Sequence, residues 1–396
     1  MVENGNRFFE KCWSGKSSLH HFVGQHAVPI DFIRGLRHRI RSCPTFIASN
    51  YPNMTYTIQI RNSNQSFPVE EGESILDAAL RHGISLPYAC RNGVCGACKG
   101  KCISGEIEYP SPELLVALPQ AERDEGFALF CQGRACSDLE IEADIVDENA
   151  QKPEKLPARV VKLEQLAHDV MRLYLKLPAG KRLPFLAGQY IDILLSDGRR
   201  RSFSIANPPH DDEFIELHIR HVPGGRFSDF LFSEMKEGAI LRIEAPFGQF
   251  HFREGSERPM IFMAGGTGFA PIKGVIEHIL AEGVTLPMHF YWGVRAKRDL
   301  YLHDMAQAWA DEHPFFNYIP VLSDPMEEDQ WQGRTGFVHE AILEDFTSFS
   351  EHDVYACGPP VMIHSGQQAF LDRGLPEDRF FCDPFEYAAD NPAKES

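Results

Sequence analysis

Cys90-Arg91-Asn92-Gly93-Val94-Cys95-Gly96-Ala97-Cys98, answered downstream by Phe130-Cys131-Gln132, is the stretch whose reading decides the fold. Four residues separate the first two cysteines, two separate the next pair, and the fourth lies a domain's width away. This C-x4-C-x2-C…C spacing suits a 2Fe–2S cluster. A loop that wraps three thiolates around so small a group must turn tightly. Gly93, Gly96 and Ala97 permit that and leave amide N–H groups free to approach the sulfides. The alternatives are a disulfide pair or a zinc ribbon, but ribbons favour paired C-x2-C elements and have no use for the four-residue loop. Cys90, Cys95, Cys98 and Cys131 are the expected metal ligands.

The 396 residues, 43% hydrophobic, hold material for two or three domains with their own cores. A net charge of −17 argues against nucleic acid as a partner, because phosphate binding needs a basic face. Of the ten cysteines, those outside the ligand set (Cys12, Cys43, Cys102, Cys136, Cys357, Cys382) follow no framework spacing. Cluster ligation needs reduced thiolates, which points to a reducing, cytoplasmic compartment. No apolar run approaches the ~18 residues of a membrane span, so an integral membrane segment is not expected.

Residues 1–53 are basic where the remainder is acidic. Their run Arg34 to Arg41, interleaved with Leu36 and Ile40, suits an amphipathic helix for targeting or for an anionic surface. A disordered leader or a non-native upstream start is the plainer expectation, since Met54-Thr55-Tyr56 opens a domain cleanly. From there to 147, Tyr56, Ile58 and Ile60 alternate as a strand does and a second strand ends near Val69. Ser74 caps a helix through about His82, and Ile141 and Ile145 close a last strand. Residues 148–157, polar and punctuated by Pro153 and Pro157, read as a linker. Short strands at 158–161, 170–175, 190–194 and 215–219 suggest an antiparallel barrel over 158–256. Over 257–390 buried-type strands at 260–264, 288–292, 316–321 and 352–356 alternate with helices at Pro271–Ala281 and Leu302–Glu312, as in a parallel α/β sheet. Residues 391–396 are left as a tail.

Several motifs carry a resemblance. The cluster loop, with Leu86-Pro87-Tyr88 before it, resembles the plant-type ferredoxins, which implies an α+β β-grasp domain. Arg201-Ser202-Phe203-Ser204-Ile205-Ala206-Asn207 resembles the R-x-Y/F-S-x-x-N signature of the ferredoxin–NADP reductase superfamily. Arg201 can fork onto a pyrophosphate, Phe203 can cover a ring face, and Ser204 can hydrogen-bond flavin N5. The superfamily more often has Tyr at position 203. Gly225-Arg226-Phe227-Ser228 opens an expected helix, Ser228–Phe232, whose free N–H groups suit phosphate contact, and a pyrophosphate site indicates FAD rather than FMN. The resemblance adds His218, Ile219 and Arg220 to the FAD contacts, beside Gly188-Gln189-Tyr190 and Pro246-Phe247-Gly248.

Gly265-Gly266-Thr267-Gly268, with Pro271 after it, lies between strand and helix, where backbone can approach a pyrophosphate. Cys357-Gly358-Pro359 resembles the C-G-P segment beside the nicotinamide in the same superfamily. Cys357 is then a nicotinamide contact, catalytic by position and not a nucleophile. Phe385 is the aromatic implied to cover the flavin from the C-terminus. Basic residues in Gly293-Val294-Arg295-Ala296-Lys297-Arg298-Asp299 can hold an NADP 2′-phosphate, yet the pattern also occurs in NADH users of the family, and NADH is the preferred reading.

Residues 54–390 as a whole resemble the three-domain reductase components of phenol and benzoate oxygenases, and most closely the CDP-6-deoxy-glucoseen reductase group. The resemblance carries through Arg199–Asn207, His218–Phe230, Gly268–Gly274 and Tyr291–His303. It implies a multidomain chain: a β-grasp ferredoxin, an antiparallel Greek-key β-barrel for FAD and a doubly wound parallel α/β nicotinamide domain. It also implies an enzyme passing electrons from NAD(P)H through FAD and the cluster, one at a time, to a protein acceptor. A deoxysugar dehydrase is the first reading of that acceptor and a mono- or dioxygenase the second. A non-turnover redox sensor or carrier is the third, against which Ser204, Gly265–Gly268 and Cys357 argue.

Overall fold

Polar–apolar alternation sets the first strand: β1 (Tyr56–Ile60) buries Ile58 and Ile60 and exposes Thr57 and Gln59. The computed structural model describes residues 55–385, apart from 62, 94, 111, 113, 114, 116 and 147–150. The basic stretch 1–53 and the tail 391–396 lie outside the described residues. β2 (Ser66–Val69) pairs antiparallel with β1. Helix α1 (Ile75–Arg81) begins where the Ser74 hydroxyl accepts the Asp77 N–H at 3.0 Å, and it buries Ile75, Leu76, Ala78, Ala79 and Leu80. After the cluster loop come β3 (Lys99–Ser104), β4 (Ile107–Glu108), α2 (Gln120–Asp124), β5 (Phe127–Leu129), β6 (Arg134–Ala135) and β7 (Leu139–Glu142). The sheet order is β2-β1-β7-β3-β5, with β1 and β7 parallel, and β4 pairs with β6 beside it. The closing strand expected to reach Ile145 ends at Glu142. There the chain leaves the sheet, and the Val146 N–H bonds Ser85 O at 2.8 Å.

The second sheet corrects the linker. β8 (Glu154–Ala167) starts inside the stretch expected to be unstructured. Its first residues, Glu154 to Ala158, pair only with a later strand, while its second neighbour joins at Arg159. Pro157 therefore sits on an open flank, where its missing N–H costs no ladder bond. β9 (Val170–Lys176), β10 (Tyr190–Leu194), β11 (Arg200–Ser204), β12 (Ile215–Arg220), α3 (Arg226–Ser233) and β13 (Ile240–Phe247) follow. The antiparallel order is β11-β10-β13-β8-β9-β12, and a bridge between Ile205 and Leu217 links its two ends.

The third sheet is parallel throughout, in the order β17-β16-β15-β14-β18-β19. In chain order its elements are β14 (Met260–Gly265), α4 (Phe269–Ala281), β15 (Met288–Val294), α5 (His303–Glu312), β16 (Phe316–Leu322), β17 (Arg334–Thr335), α6 (Val338–Asp345), β18 (Asp353–Gly358), α7 (Pro360–Leu371) and β19 (Phe380–Pro384). Alternate residues of β14 enter two separate cores. Met260, Phe262 and Ala264 pack with α4 and α5, while Ile261 and Met263 pack with α6 and α7. The chain reverses its direction across the sheet at β14 and β18, which opens a crevice at their C-terminal ends.

The first two sheets meet through Ser85–Arg91. Tyr190 and Phe247 pack into the core of the first sheet, and the Gly248 N–H donates to the Tyr88 hydroxyl at 2.7 Å. Gln249 Nε2 donates to Leu86 O at 2.6 Å and to the Ser85 hydroxyl at 3.1 Å. Every described helix is too short or too polar to cross a membrane.

Phe262, fully buried at the centre of the third sheet, stacks on Tyr355 at 5.3 Å. Phe262→Ala should lower stability by about 3–5 kcal/mol. Urea unfolding followed by tryptophan fluorescence measures it, and a loss under about 1 kcal/mol would show that the core collapses to fill the gap.

Candidate active site

The cluster loop depends on backbone conformations that side chains disfavour. Gly93 and Gly96 have φ of 82° and 77°, and Arg91 between the ligands has φ of 57°. The turn brings the Asn92 and Cys95 N–H groups to 3.4 Å from Cys90 Sγ, and the Cys90 N–H to 3.5 Å from Cys95 Sγ. The four cysteines form no disulfide and fall into two touching pairs, Cys90 with Cys95 and Cys98 with Cys131. Gln132 Nε2 donates to Arg91 O at 2.8 Å, tying the fourth cysteine's turn to the loop. Four convergent thiols with amide donors on the sulfur fit a cluster, in which such hydrogen bonds tune the metal.

Beside this loop lies a cleft of about 1200 Å3, measured to its open mouth. The cluster loop, the second sheet and the third sheet all contribute to it. Ala89, Cys90 and Asn92 come from the cluster loop, Arg201 to Ser204 from β11, and His218 and Arg220 from β12. Gly225, Phe227 and Ser228 come from the start of α3, Thr267 and Ala270 from the glycine turn, and Asp383 to Phe385 from the end of β19. Phe203 and Phe227 meet at 5.4 Å between ring centres, forming an apolar wall. Gly225 caps α3 without a side-chain bond, so the first N–H groups of that helix open toward the cleft. An apolar wall, a basic strand end and a helix N-terminus suit a flavin ring with its pyrophosphate.

Two residues expected on the cofactor lie elsewhere. Ile219 is buried in the core of the second sheet, because strand alternation sends it to the face opposite His218 and Arg220. Arg226 reaches Asp197 at 2.7 Å on the exposed flank. His218 is fully buried between Glu216, at 2.8 Å from Nε2, and the Tyr301 hydroxyl, at 3.1 Å from Nδ1. Burial disfavours its charged form and lowers its pKa, against the pull of Glu216.

The nicotinamide-side residues converge at the sheet crevice. Gly265 to Gly268 follow β14, and Pro271 is buried in the first turn of α4. A Cβ on Gly268 would lie 2.1 Å from Cys357 O, so the close approach of β18 demands glycine there. Gly266 (φ 54°) holds its carbonyl to Trp292 Nε1 at 3.0 Å. Cys357 is fully buried on β18 and does not line the cleft; burial pushes its thiol well up, which suits a packing contact and not a nucleophile. Pro359 caps α7, and Gly358 O accepts the Phe385 N–H at 2.8 Å, which hangs Phe385 over the cleft.

Asp383 was not singled out in the sequence, although Phe385, two residues on, was. Its carboxylate accepts from the Ser204 hydroxyl at 3.5 Å and lies in the register of Cys357 across β18 and β19. Burial pushes its carboxyl up to about 7; the Ser204 bond opposes that and the Cys90 sulfur adds to it. Tyr190, expected beside the FAD contacts, lines the cleft, and Asn92 and Arg200 do so without having been expected there.

Three protein families match consecutive parts of the chain. The 2Fe-2S iron-sulfur cluster binding domain matches residues 58–136, the oxidoreductase FAD-binding domain 157–252, and the oxidoreductase NAD-binding domain 262–368. The chain is 39% identical to the CDP-6-deoxy-L-threo-D-glycero-4-hexulose-3-dehydrase reductase of Yersinia pestis, over 84% of this chain and 99% of that one. It is also 39% identical to the terephthalate 1,2-dioxygenase reductase component 1 of a Comamonas species, over 84% and 98%. The solved Amycolatopsis cytochrome P450 reductase superposes with a TM-score of 0.75 at 33% identity, covering 84% of this chain and 99% of that one.

Gly268→Ala should force the glycine turn off β18 and raise the KM for the nicotinamide by about tenfold or more while the cluster and flavin spectra persist. Steady-state kinetics with ferricyanide as acceptor measures this; an unchanged KM would mean that the turn does not meet the nucleotide.

Proposed function

The chain belongs to the family of reductases that join a 2Fe–2S ferredoxin to FAD- and NAD-binding domains, making it an NAD(P)H-dependent FAD and iron–sulfur oxidoreductase, and from this we propose that one cleft carries the whole electron path to a separate protein acceptor. The observation that carries the proposal is the lining of that cleft by Cys90, Ser204, Thr267 and Phe385 together. When bound, the nicotinamide supplies a hydride, the flavin accepts it and releases electrons singly, and the cluster passes them on.

The side chains position and tune. Ser204 would hydrogen-bond flavin N5, Arg201, Ser202 and the α3 N-terminus would hold the phosphates, and Phe203, Phe227 and Phe385 would cover the ring. Gly265 to Gly268, with Gly358 and Pro359, would bring the nicotinamide against the ring face, and buried Cys357 would pack behind it. Cys90 is the cluster ligand that lines this cleft, so it would be the ligand nearest a flavin held there. The strand orders support a closed Greek-key barrel and a doubly wound α/β domain. They also favour domain limits near 54–147, 154–256 and 257–390.

For the nucleotide, NADH is the better reading. Arg295 is paired with Asp324 at 3.5 Å, and Arg298 lies 4.0 Å from Asp299. Asp169, Asp299 and Asp324 line the same small pocket as Arg220, Arg295 and Arg298, so a 2′-phosphate there would meet carboxylates as well as guanidinium groups. For the acceptor, the deoxysugar dehydrase component comes first, on the Yersinia pestis relative. The Comamonas relative supports a dioxygenase equally by identity. The need for reduced ligand thiols favours a cytoplasmic setting.

Anaerobic titration with NADH should bleach the flavin and cluster bands, with NADPH needed in excess. Flavin bleaching with an oxidised cluster would contradict the relay. Coupling to purified dehydrase and dioxygenase components then separates the acceptors by which one turns over.

Asp383 gives the reaction a pH dependence. As pH rises through about 7 the carboxyl loses its proton, and Ser204 then donates to the carboxylate instead of to N5. NADH-dependent flavin reduction should therefore slow above neutrality, and Asp383→Asn should flatten that profile. Stopped-flow absorbance across pH 5.5–8.5 (roughly bracketing that titration) tests it, and a wild-type profile retained in the variant would remove Asp383 from the reaction.

A further inference from the structure

Arg91 is the residue that ligand spacing leaves unassigned, yet it is the most heavily engaged side chain of the cluster loop. Its side chain is 8% exposed, although its neighbour Asn92 and Ala97 further along the loop are exposed. One guanidinium nitrogen donates to Asp77 at 2.5 Å, in the first turn of α1 of its own domain. Another donates to Asp192 at 2.6 Å, on β10 of the barrel, whose side chain is 2% exposed. The guanidinium also stacks 3.8 Å from the Phe247 ring centre. Burial opposes its charge, but Asp192 and Asp77 outweigh that and hold its pKa well above the usual range.

Asp192 does not end the chain of contacts. Its second oxygen accepts from the Ser202 hydroxyl at 2.6 Å, and Arg200 lies 3.5 Å away. Ser202 sits between Arg201 and Phe203 on the strand that lines the cleft. One ion pair thus joins the residue next to Cys90 to the strand that ends at Ser204. Around it, Tyr88, Gln249 and the Tyr190 hydroxyl, which donates to Ala89 O at 3.3 Å, fasten the same seam.

We propose that Arg91, acting through Asp192, is a positioning residue that locks the cluster loop onto the flavin-binding strand, so that the ferredoxin domain accepts electrons docked and does not swing as a free carrier. This rests on the relay proposed above. The step it serves moves one electron from reduced flavin to the cluster, one ferric ion becoming ferrous. No bond breaks and no proton transfers between the two groups, so their separation and orientation bear directly on the rate. Planarity matters because only a fork reaches two carboxylates and a ring at once.

The test uses the full-length holoprotein as Arg91→Met, Arg91→Lys and Asp192→Asn, each checked for iron and flavin content. Asp192 lies outside the cluster loop, so that variant keeps the test valid if Arg91→Met assembles poorly. After anaerobic mixing with NADH, flavin bleaching should stay within about twofold of the parent, while cluster bleaching slows by about tenfold or more. Arg91→Lys should fall between, and the double variant Arg91→Met/Asp192→Asn should be no slower than the worse single one. Hydrogen exchange supplies a readout independent of turnover: amides at 85–91 and 247–249 should lose protection in both single variants. Parent-like cluster bleaching in both variants, or slowed bleaching with unchanged exchange, would overturn the lock. Failure of the parent itself to bleach its cluster would instead remove the relay, while exchange would still report on the seam.

Discussion

A loop that carries three ligands for one cluster must be held still by something besides the metal. Here that constraint falls on a guanidinium shared between Asp77 and Asp192, buried against Phe247. A buried charge is tolerable only when paired and hydrogen-bonded, and this one is paired in two directions. Because one carboxylate belongs to α1 and the other to β10, the bond that orders the loop also orients two domains. The cleft inherits its shape from that arrangement. With the loop elsewhere, Cys90 would have no reason to share a wall with Ser204.

The other side of the cleft follows from sheet topology. Reversal of strand order at β14 and β18 leaves a crevice, and glycines at 265, 268 and 358 let the two strand ends close to backbone contact. The same closeness carries β19 past Cys357, so that Asp383 and Phe385 arrive in the cleft from a segment that is last in the fold. Little of this machinery is acid–base chemistry. One neutral-range carboxyl on one hydroxyl is the exception, and its pKa is a consequence of burial more than of design around a proton path.

Much of the architecture was legible because its signals are local. Cysteine spacing, the Ser74 cap, the alternation of Ile58 and Ile60 and the glycine turn at 265–268 each act within a few residues. What was missed depends on distance or on parity. Pro157 and its polar neighbours read as linker, since nothing nearby reveals a partner strand some 85 residues on (Arg242) that leaves the proline's own flank open. Ile219 was included through its neighbours, yet a period of two sends it into the core. Asp383 and Asp192 belong to no motif. Their significance arises only when Ser204 and Arg91, far away in sequence, fold against them. Arg91 itself stood in plain view between two ligands. Its pairing, and not its presence, was the hidden part.

The central claim is that electrons pass from nicotinamide to flavin to cluster inside a single chain. Anaerobic single-turnover stopped-flow with NADH, repeated over a wide range of protein concentration, tests it most directly. Flavin bleaching should precede cluster bleaching, and the cluster phase should keep one rate at every protein concentration. A cluster rate that climbs in proportion to protein would mean that electrons cross between molecules, and the shared cleft would not be the path.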